Sequence, residues 1–339
     1  MGNVTMREMG RRLGVSAVTV SKALSGKSGV SEEVRQRIIR LAEEVGYVNP
    51  HEKGESRDAG LDVGILVPER FFSNDTFYAM FYKQLLQVLR ENGHFGMLEL
   101  ITEDMQSTME LPNLLRSRRV RALILLGQPR EDYTRMLARQ PLPVIALDFH
   151  YPAIPMDAIV GDNVYGAAMM TRCLIENGHR DIGFLGRAKV TSSILERYLG
   201  FMAEMQMHDL PVRPECILDD RTDDNIIHPA RLPEKMPTAF VCNCDVVARP
   251  LIDQLQKNGY RVPEDVSIVS YDDFGSVPGS LPLTTFRVDT LAMCRIAVER
   301  VESRCRGENK PVSRIVVGGE CVYRDSVLPL STVLPRNIK

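Results

Sequence analysis

The run Leu13-Gly14-Val15-Ser16-Ala17-Val18-Thr19-Val20-Ser21-Lys22-Ala23-Leu24 sets the architecture of the N-terminal region. Upstream of it, Thr5 and Glu8 make a Thr-x-x-Glu capping box opening a short helix with Met6, Met9 and Leu13 on one face, and Gly14 supplies the tight turn that ends it. Ser16 then serves as an N-cap. Val20 and Leu24 are spaced to face the first helix, which leaves Ala17, Val18, Ser21 and Lys22 pointing outward. Downstream, a third helix starts at Ser31, with Glu32 and Glu33 beside the positive end of its dipole. Its apolar stripe is Val34, Ile38, Leu41, Ala42 and Val45, and Gly46 stops it. Two helices meeting at a tight turn and braced by a third form a helix-turn-helix: a helix about 10–12 Å wide fits a DNA major groove about 12 Å wide.

Charge agrees with this reading. Residues 1–48 carry eight Lys and Arg against five Glu, a net of +3, whereas the whole 339-residue chain is at −2. The basic excess is local to the segment that would meet phosphate.

Several strings carry a resemblance. Val4-Thr5, Gly14-Val15-Ser16-x-x-Thr19-Val20-Ser21, Val30-Ser31 and Gly46-Tyr47 resemble the headpiece of the lactose/galactose repressor family of bacterial transcription regulators. The resemblance implies DNA contacts from Thr5, Ser16, Ala17, Val18, Thr19, Ser21, Lys22 and Ser31. Ala17 and Val18 stand where the family places its main base-contacting side chains. Being apolar, they touch only thymine methyls, and Lys22 is left as the hydrogen-bonding reader.

After Tyr47 the pattern breaks. Asn49 to Gly60 is charged, contains two glycines and a proline, and has no apolar face, so 49–61 reads as a linker. The family's linker carries an Ala-x-x-Leu segment that wedges leucines into the minor groove. Here the corresponding positions are Lys53 and Ser56, and the wedge is missing.

From Leu61 the chain alternates short apolar β-rich runs with helical stretches, the rhythm of parallel sheets covered by helices on both faces. Val63 to Pro68, Phe95 to Leu100, Ala122 to Gly127 and Val144 to Asp148 read as strands of one set. Asp157 to Val160 reads as the start of a second set, which includes Ile182 to Gly186, Ala239 to Cys242 and Val266 to Ser270. Asn177-Gly178-His179-Arg180-x-Ile182-Gly183, Arg197-x-x-Gly200-Phe201, Pro237-Thr238-Ala239 and Val262-Pro263-x-Asp265-Val266-Ser267-Ile268-Val269-Ser270-Tyr271-Asp272-Asp273 extend the resemblance to the effector-binding core of the same family, which is similar to periplasmic sugar-binding proteins. The expected fold is therefore an all-α helix-turn-helix headpiece, residues 1–48, followed by an α/β two-lobe periplasmic-binding-protein-like core, residues 62–339. Lobe one is expected at about 62–157 and 288–310, and lobe two at about 158–287 and 311–330.

Ligands of open parallel sheets bind beyond the carboxyl ends of strands. Asp148 and Asp272 end strands, Arg197 follows the Thr191-Ser192-Ser193 loop, and Phe77 with Tyr78 starts the first core helix. Opposed carboxylates with one guanidinium fit a polyhydroxylated or amphoteric molecule, and an aromatic ring covers its apolar face. The effector set implied by the resemblance is Phe77, Tyr78, Asp148, Ser193, Arg197, Asn243 and Asp272. Many members carry an amide one position later, where this chain has Cys244, so a bond to a sugar hydroxyl is missing unless Asn243 replaces it. The acidic, proline-containing segment Asp219 to Met236 reads as a loop at the cleft rim.

Composition bounds the rest. Hydrophobic content of 44% and charged content of 25% suit a soluble globular chain of two or three units. No apolar run reaches the ~18 residues of a membrane span, and the polar N-terminal helix does not read as a signal peptide; the expectation is a cytoplasmic protein with no membrane partner. Seven scattered cysteines read as reduced core residues, and Cys242-x-Cys244 has no second pair to complete a zinc site. No nucleophile elbow, phosphate loop or His-Glu-x-x-His occurs, so neither catalysis nor a metal or cofactor is expected. The reading is a homodimeric repressor that binds a pseudo-palindromic operator and a small-molecule effector, a sugar or related metabolite. The alternative, a solute-binding or sensor protein of the same core fold, has no use for the headpiece.

Overall fold

The computed structural model describes residues 5–24, 29–44, 60–72, 76–223, 225–274 and 279–330. The chain divides into two compact units, 1–60 and 61–339. Most of the expected linker, including Lys53 and Ser56, lies outside the described residues, as do Val45 and the Gly46 helix stop.

The first unit holds α1 (Met6–Leu13), α2 (Ala17–Leu24) and α3 (Glu32–Glu44). Met9, Val20, Ala23, Ile38 and Ala42 are buried where the three meet, with Met6, Leu13, Leu24, Val34 and Leu41 packed around them. Apart from Ala23, these are the positions that the 3.6-residue spacing selects.

The second unit contains two six-stranded sheets. The first has the order β11-β5-β4-β3-β1-β2 and the second β12-β10-β9-β8-β6-β7. The first comprises β1 (Asp62–Pro68), β2 (Phe95–Ile101), β3 (Ala122–Leu126), β4 (Val144–Leu147), β5 (Asp157–Gly161) and β11 (Arg314–Val317), all parallel. The second comprises β6 (Ile182–Leu185), β7 (Ile217–Leu218), β8 (Ala239–Cys242), β9 (Ser267–Asp272), β10 (Thr284–Val288) and β12 (Gly319–Val322), with β12 alone antiparallel to its neighbour. Central strands such as β3 and β8 are buried throughout, as expected where helices cover both faces of a parallel sheet.

Two boundaries require correction. The strand Asp157 to Val160 was expected to open lobe two and 311–330 to belong to it entirely, yet β5 and β11 pair with each other inside the first sheet. The first lobe therefore runs to Gly161 and regains the chain from Thr290 to Val317. The chain changes lobe three times: after β5, after β10 and between β11 and β12. Residues 219–236 contain no helix among those described; a single antiparallel bridge, Arg221 to Ile227, folds them into a small hairpin.

Strand order reverses beside β1 and β3 in one lobe and beside β6 and β8 in the other. The carboxyl ends of the strands at these switch points border the crevice where such sheets take ligands.

Candidate nucleic-acid interface and interlobe cleft

Local hydrogen bonds build the helix-turn-helix. Thr5 Oγ1 accepts from Glu8 N at 3.3 Å, and Gly14 takes φ 68° at the end of α1. The close turn also needs Gly10, where a Cβ would lie 2.6 Å from the Val15 carbonyl oxygen. Ser16 Oγ accepts from Thr19 N at 3.0 Å and lies 2.8 Å from Thr19 Oγ1, so the two hydroxyls cap α2 together. Ser31 Oγ accepts from Val34 N at 3.4 Å at the start of α3. Arg35 Nη1 donates to the Ala23 carbonyl at 3.0 Å and ties α3 to the end of α2.

The outward face of α2 is as the spacing requires. Val18 is 64% exposed, Lys22 is exposed, Ala17, Thr19 and Ser21 are half-buried, and Val20 is fully buried. An apolar side chain so exposed at the amino end of a short, braced helix is chemically suited to a thymine methyl.

In the core, Arg197 on the helix Ser192–Met207 is the centre of a buried cluster. Its Nε donates to Asn163 Oδ1 at 2.9 Å, and its Nη1 donates to the Asn243 carbonyl oxygen at 2.7 Å. Nη2 lies 3.1 Å from Asp272 Oδ1, an ion pair whose angle falls outside hydrogen-bond geometry. The guanidinium carbon sits 3.8 Å from the centroid of the Tyr271 ring. Burial pushes the Asp272 carboxyl above its usual range, and Arg197 and then Arg221 oppose that shift. Asp148 also acts on Arg197 through its charge. It accepts from Tyr78 OH at 2.7 Å. Both aspartates have left-handed backbone, φ 70° at Asp148 and φ 99° at Asp272, which turns each carboxylate off the end of its strand.

A second pair lies beside the first. Arg221 donates from Nε and Nη2 to Asp220 Oδ2 at 2.9 and 2.7 Å, and both residues are buried. Asn243 Nδ2 donates to the same oxygen at 2.7 Å and to the Leu185 carbonyl at 3.0 Å. Burial pushes the neighbouring Cys244 thiol up to about 12, against the pull of Arg221, so it behaves as an inert core thiol.

The lobes also touch at the cleft rim. Gln128, just beyond β3, accepts at Oε1 from Ser192 N at 2.7 Å. His150 N donates to Ser192 Oγ at 3.4 Å. Glu196 accepts from Asn163 Nδ2 at 3.0 Å and pairs with Arg314 of β11.

Of the expected effector residues, the structure brings together Tyr78 with Asp148, and Arg197 with Asp272 and the backbone of Asn243. The Asn243 carboxamide was expected to face a ligand; it is committed instead to Leu185 and Asp220. Phe77 is buried, its ring 5.3 Å from Tyr78 and 5.7 Å from Phe81. Ser193 Oγ lies 3.0 Å from Thr191 Oγ1 at the helix start. Sequence reasoning missed Asn163, Tyr271, Asp220, Arg221, Gln128, Ser192 and Glu196. Position alone could have found Gln128 and Asn163, since each follows a strand by two residues.

The profile of bacterial regulatory proteins, lacI family, matches residues 5–49, and that of the periplasmic binding protein-like domain matches residues 171–327. The chain thus carries a lacI-family helix-turn-helix domain followed by a periplasmic-binding-protein-like domain. It is 26% identical over 334 residues to the ribose operon repressor of Haemophilus influenzae, covering 96% of this chain and 99% of that one. It is 28% identical over 338 residues to the HTH-type transcriptional repressor PurR of Aliivibrio fischeri, covering 95% and 98%. Among solved structures, the fold matches the complex of the transcriptional regulator CelR with cellobiose (TM-score 0.67, 22% identity, 96% of this chain and 100% of that one). It also matches the lac repressor dimer bound to operator and the anti-inducer ONPF (TM-score 0.65, 20% identity, again 96% and 100%).

Proposed function

We propose that this chain is a transcriptional repressor that reads operator DNA with α2 as a homodimer and responds to a small molecule bound between its lobes. The observation that carries the reading is the union in one chain of a braced helix-turn-helix, exposing Val18 and Lys22, with a two-lobed core that sets Asp148 and Asp272 at the carboxyl ends of strands in different lobes and pairs Arg197 with Asp272. A single headpiece of this charge makes few phosphate contacts, so two are needed for useful affinity, and a twofold dimer selects a pseudo-palindromic site. The work is done in the cytoplasm, where the DNA is, and it requires no catalysis.

The crevice favours an effector rich in hydrogen-bond donors, such as a sugar. Each buried guanidinium already has a carboxylate partner, and Asp272 Oδ1 has no aligned donor. A phosphorylated ligand would find no unpaired cation among these groups.

Two measurements test the reading. Selection from a random pool of duplexes should return a site with twofold symmetry; a pool that never enriches would sink it. A thermal-shift screen of sugars and related metabolites on residues 61–339 should reveal the effector class, since a bound ligand raises apparent stability by mass action.

A further inference from the structure

Leu61 opens the 61–339 unit at a point where strand pairing has only just begun. Its carbonyl accepts from Phe95 N at 2.8 Å, in step with the Asp62–Phe95 register of β1 and β2. Its N–H takes a side-chain partner, donating to His94 Nδ1 at 3.1 Å. The other ring nitrogen, Nε2, lies 2.9 Å from Glu302 Oε1. Because Nδ1 accepts, the ring proton is on Nε2 and is donated to the Glu302 carboxylate. The imidazole is only 9% exposed, so both bonds are sheltered from competing water.

Glu302 belongs to the helix Thr290–Cys305, which begins immediately after the second lobe crossover. Asp289 caps this helix by accepting from Ala292 N at 2.9 Å, and Thr290 Oγ1 donates to Gln84 Oε1 at 2.6 Å. Met293, Cys294, Ala297, Val298 and Val301 bury one face of it in lobe one. Twelve residues of helix place Glu302 about 18 Å from Thr290. One rigid rod thus runs from a point where the chain changes lobe to the residue holding His94, and His94 holds the residue that opens the core unit.

We propose that His94 is a positioning residue that fixes the start of the core to the crossover helix, so that movement of one lobe against the other is delivered to the segment carrying the DNA-binding unit. It touches neither DNA nor effector. This inference rests on the repressor reading above. An amide held by a side chain can be released or shifted without unzipping the sheet behind it, whereas an amide inside a β-ladder cannot. Leu61 is therefore a point where a small displacement of Glu302 is converted into a change at the linker.

The test uses the full chain, an operator duplex selected by the wild-type protein, and the variants His94→Phe and His94→Asn. Phenylalanine keeps the ring and removes both bonds; the asparagine carboxamide oxygen can occupy the place of Nδ1. In His94→Phe, exchange of the Leu61 amide with solvent deuterium should quicken by about tenfold while that of Ile65 in β1 is unchanged, and operator Kd should rise by about tenfold. His94→Asn should return both quantities to within about threefold of wild type. Unchanged Leu61 exchange and operator affinity in His94→Phe overturn the proposal, as does a loss that tracks lowered melting temperature and that asparagine fails to rescue. A wild-type chain that selects no duplex overturns the repressor reading instead, and the exchange measurement, made without DNA, keeps the two failures apart.

Discussion

Arg197 lies over the face of Tyr271 with its guanidinium carbon 3.8 Å from the ring centroid, while the next residue along the strand, Asp272, takes its charge. Ring and carboxylate are consecutive on β9, which normally points neighbouring side chains to opposite faces. The left-handed backbone of Asp272 brings both to the same guanidinium.

Removing that cation should be costly. Arg197→Met would leave the Asp272 carboxylate buried without its counter-charge, and the loss of core stability should be about 3–5 kcal/mol at pH 8. The double variant Arg197→Met/Asp272→Leu should recover much of it. Urea unfolding of residues 61–339 checks this: a double variant no more stable than the single one would mean that the ion pair is not the cause.

Asp245 makes the core sensitive to pH. It accepts from Phe274 N at 2.7 Å and Thr285 Oγ1 at 3.0 Å, and burial, followed by the charge of Asp272, pushes its carboxyl up to about 7. An unfolded aspartate titrates near about 3.9, so between these values the native state binds more protons than the unfolded one. Its contribution is fully present below about pH 4 and is lost as the pH rises through about 7. Asp245→Asn should gain about 1–3 kcal/mol relative to wild type between pH 5 and pH 8. Parallel urea midpoints for the two proteins across that range would refute the assignment.

The helix pair at the lobe-two crossover tolerates no side chain at Gly200. A Cβ there would lie 2.2 Å from the backbone oxygen of Val164, at the start of the facing helix Asn163–Glu176. Gly200→Ala should destabilise the core by about 1–3 kcal/mol through overpacking, even though alanine is the better helix former. A variant as stable as wild type would show that the helices are free to part.

Base reading should divide between Lys22 and Val18. Lys22→Ala should cost about 1–3 kcal/mol at one base pair of each half-site and relax the preference there. Equal weakening on operator and on random duplex would place Lys22 on phosphate. Val18→Ala should weaken discrimination at a thymine without altering the salt dependence of binding.

The linker sequence makes a further prediction. With Lys53, Gly54 and Ser56 there is no apolar group to insert between base pairs, so the operator should be bent little or not at all. Gel-mobility phasing decides: a pronounced bend, or a large loss of affinity on changing only the central base pairs, would rule this out.

What could be read in the sequence follows from which interactions are local. The caps at Thr5, Ser16 and Ser31, the turn at Gly14 and the outward face of α2 are set by residues within four positions of one another, and all were legible. So were the strand-end aspartates, because an acidic residue after an apolar run is conspicuous. The sheet to which β5 and β11 belong was not, since strands buried on both faces carry the same continuous apolar signature in either lobe. The fate of the Asn243 amide was also hidden. Its partner Asp220 lies 23 residues away on a different strand end, and no periodicity links the two.

The three lobe crossovers have a consequence for synthesis. The described helices of the headpiece form one contiguous stretch ending at Glu44, whereas the first lobe lacks its edge strand until Val317 has been made and the second until Val322. At ordinary ribosomal speed the gap is on the order of tens of seconds. During it each nascent chain carries a finished DNA-reading unit ahead of an unfinished sensor. A message truncated anywhere between Glu44 and Val317 would yield a headpiece joined to an incomplete sensor, with neither sheet carrying its edge strand.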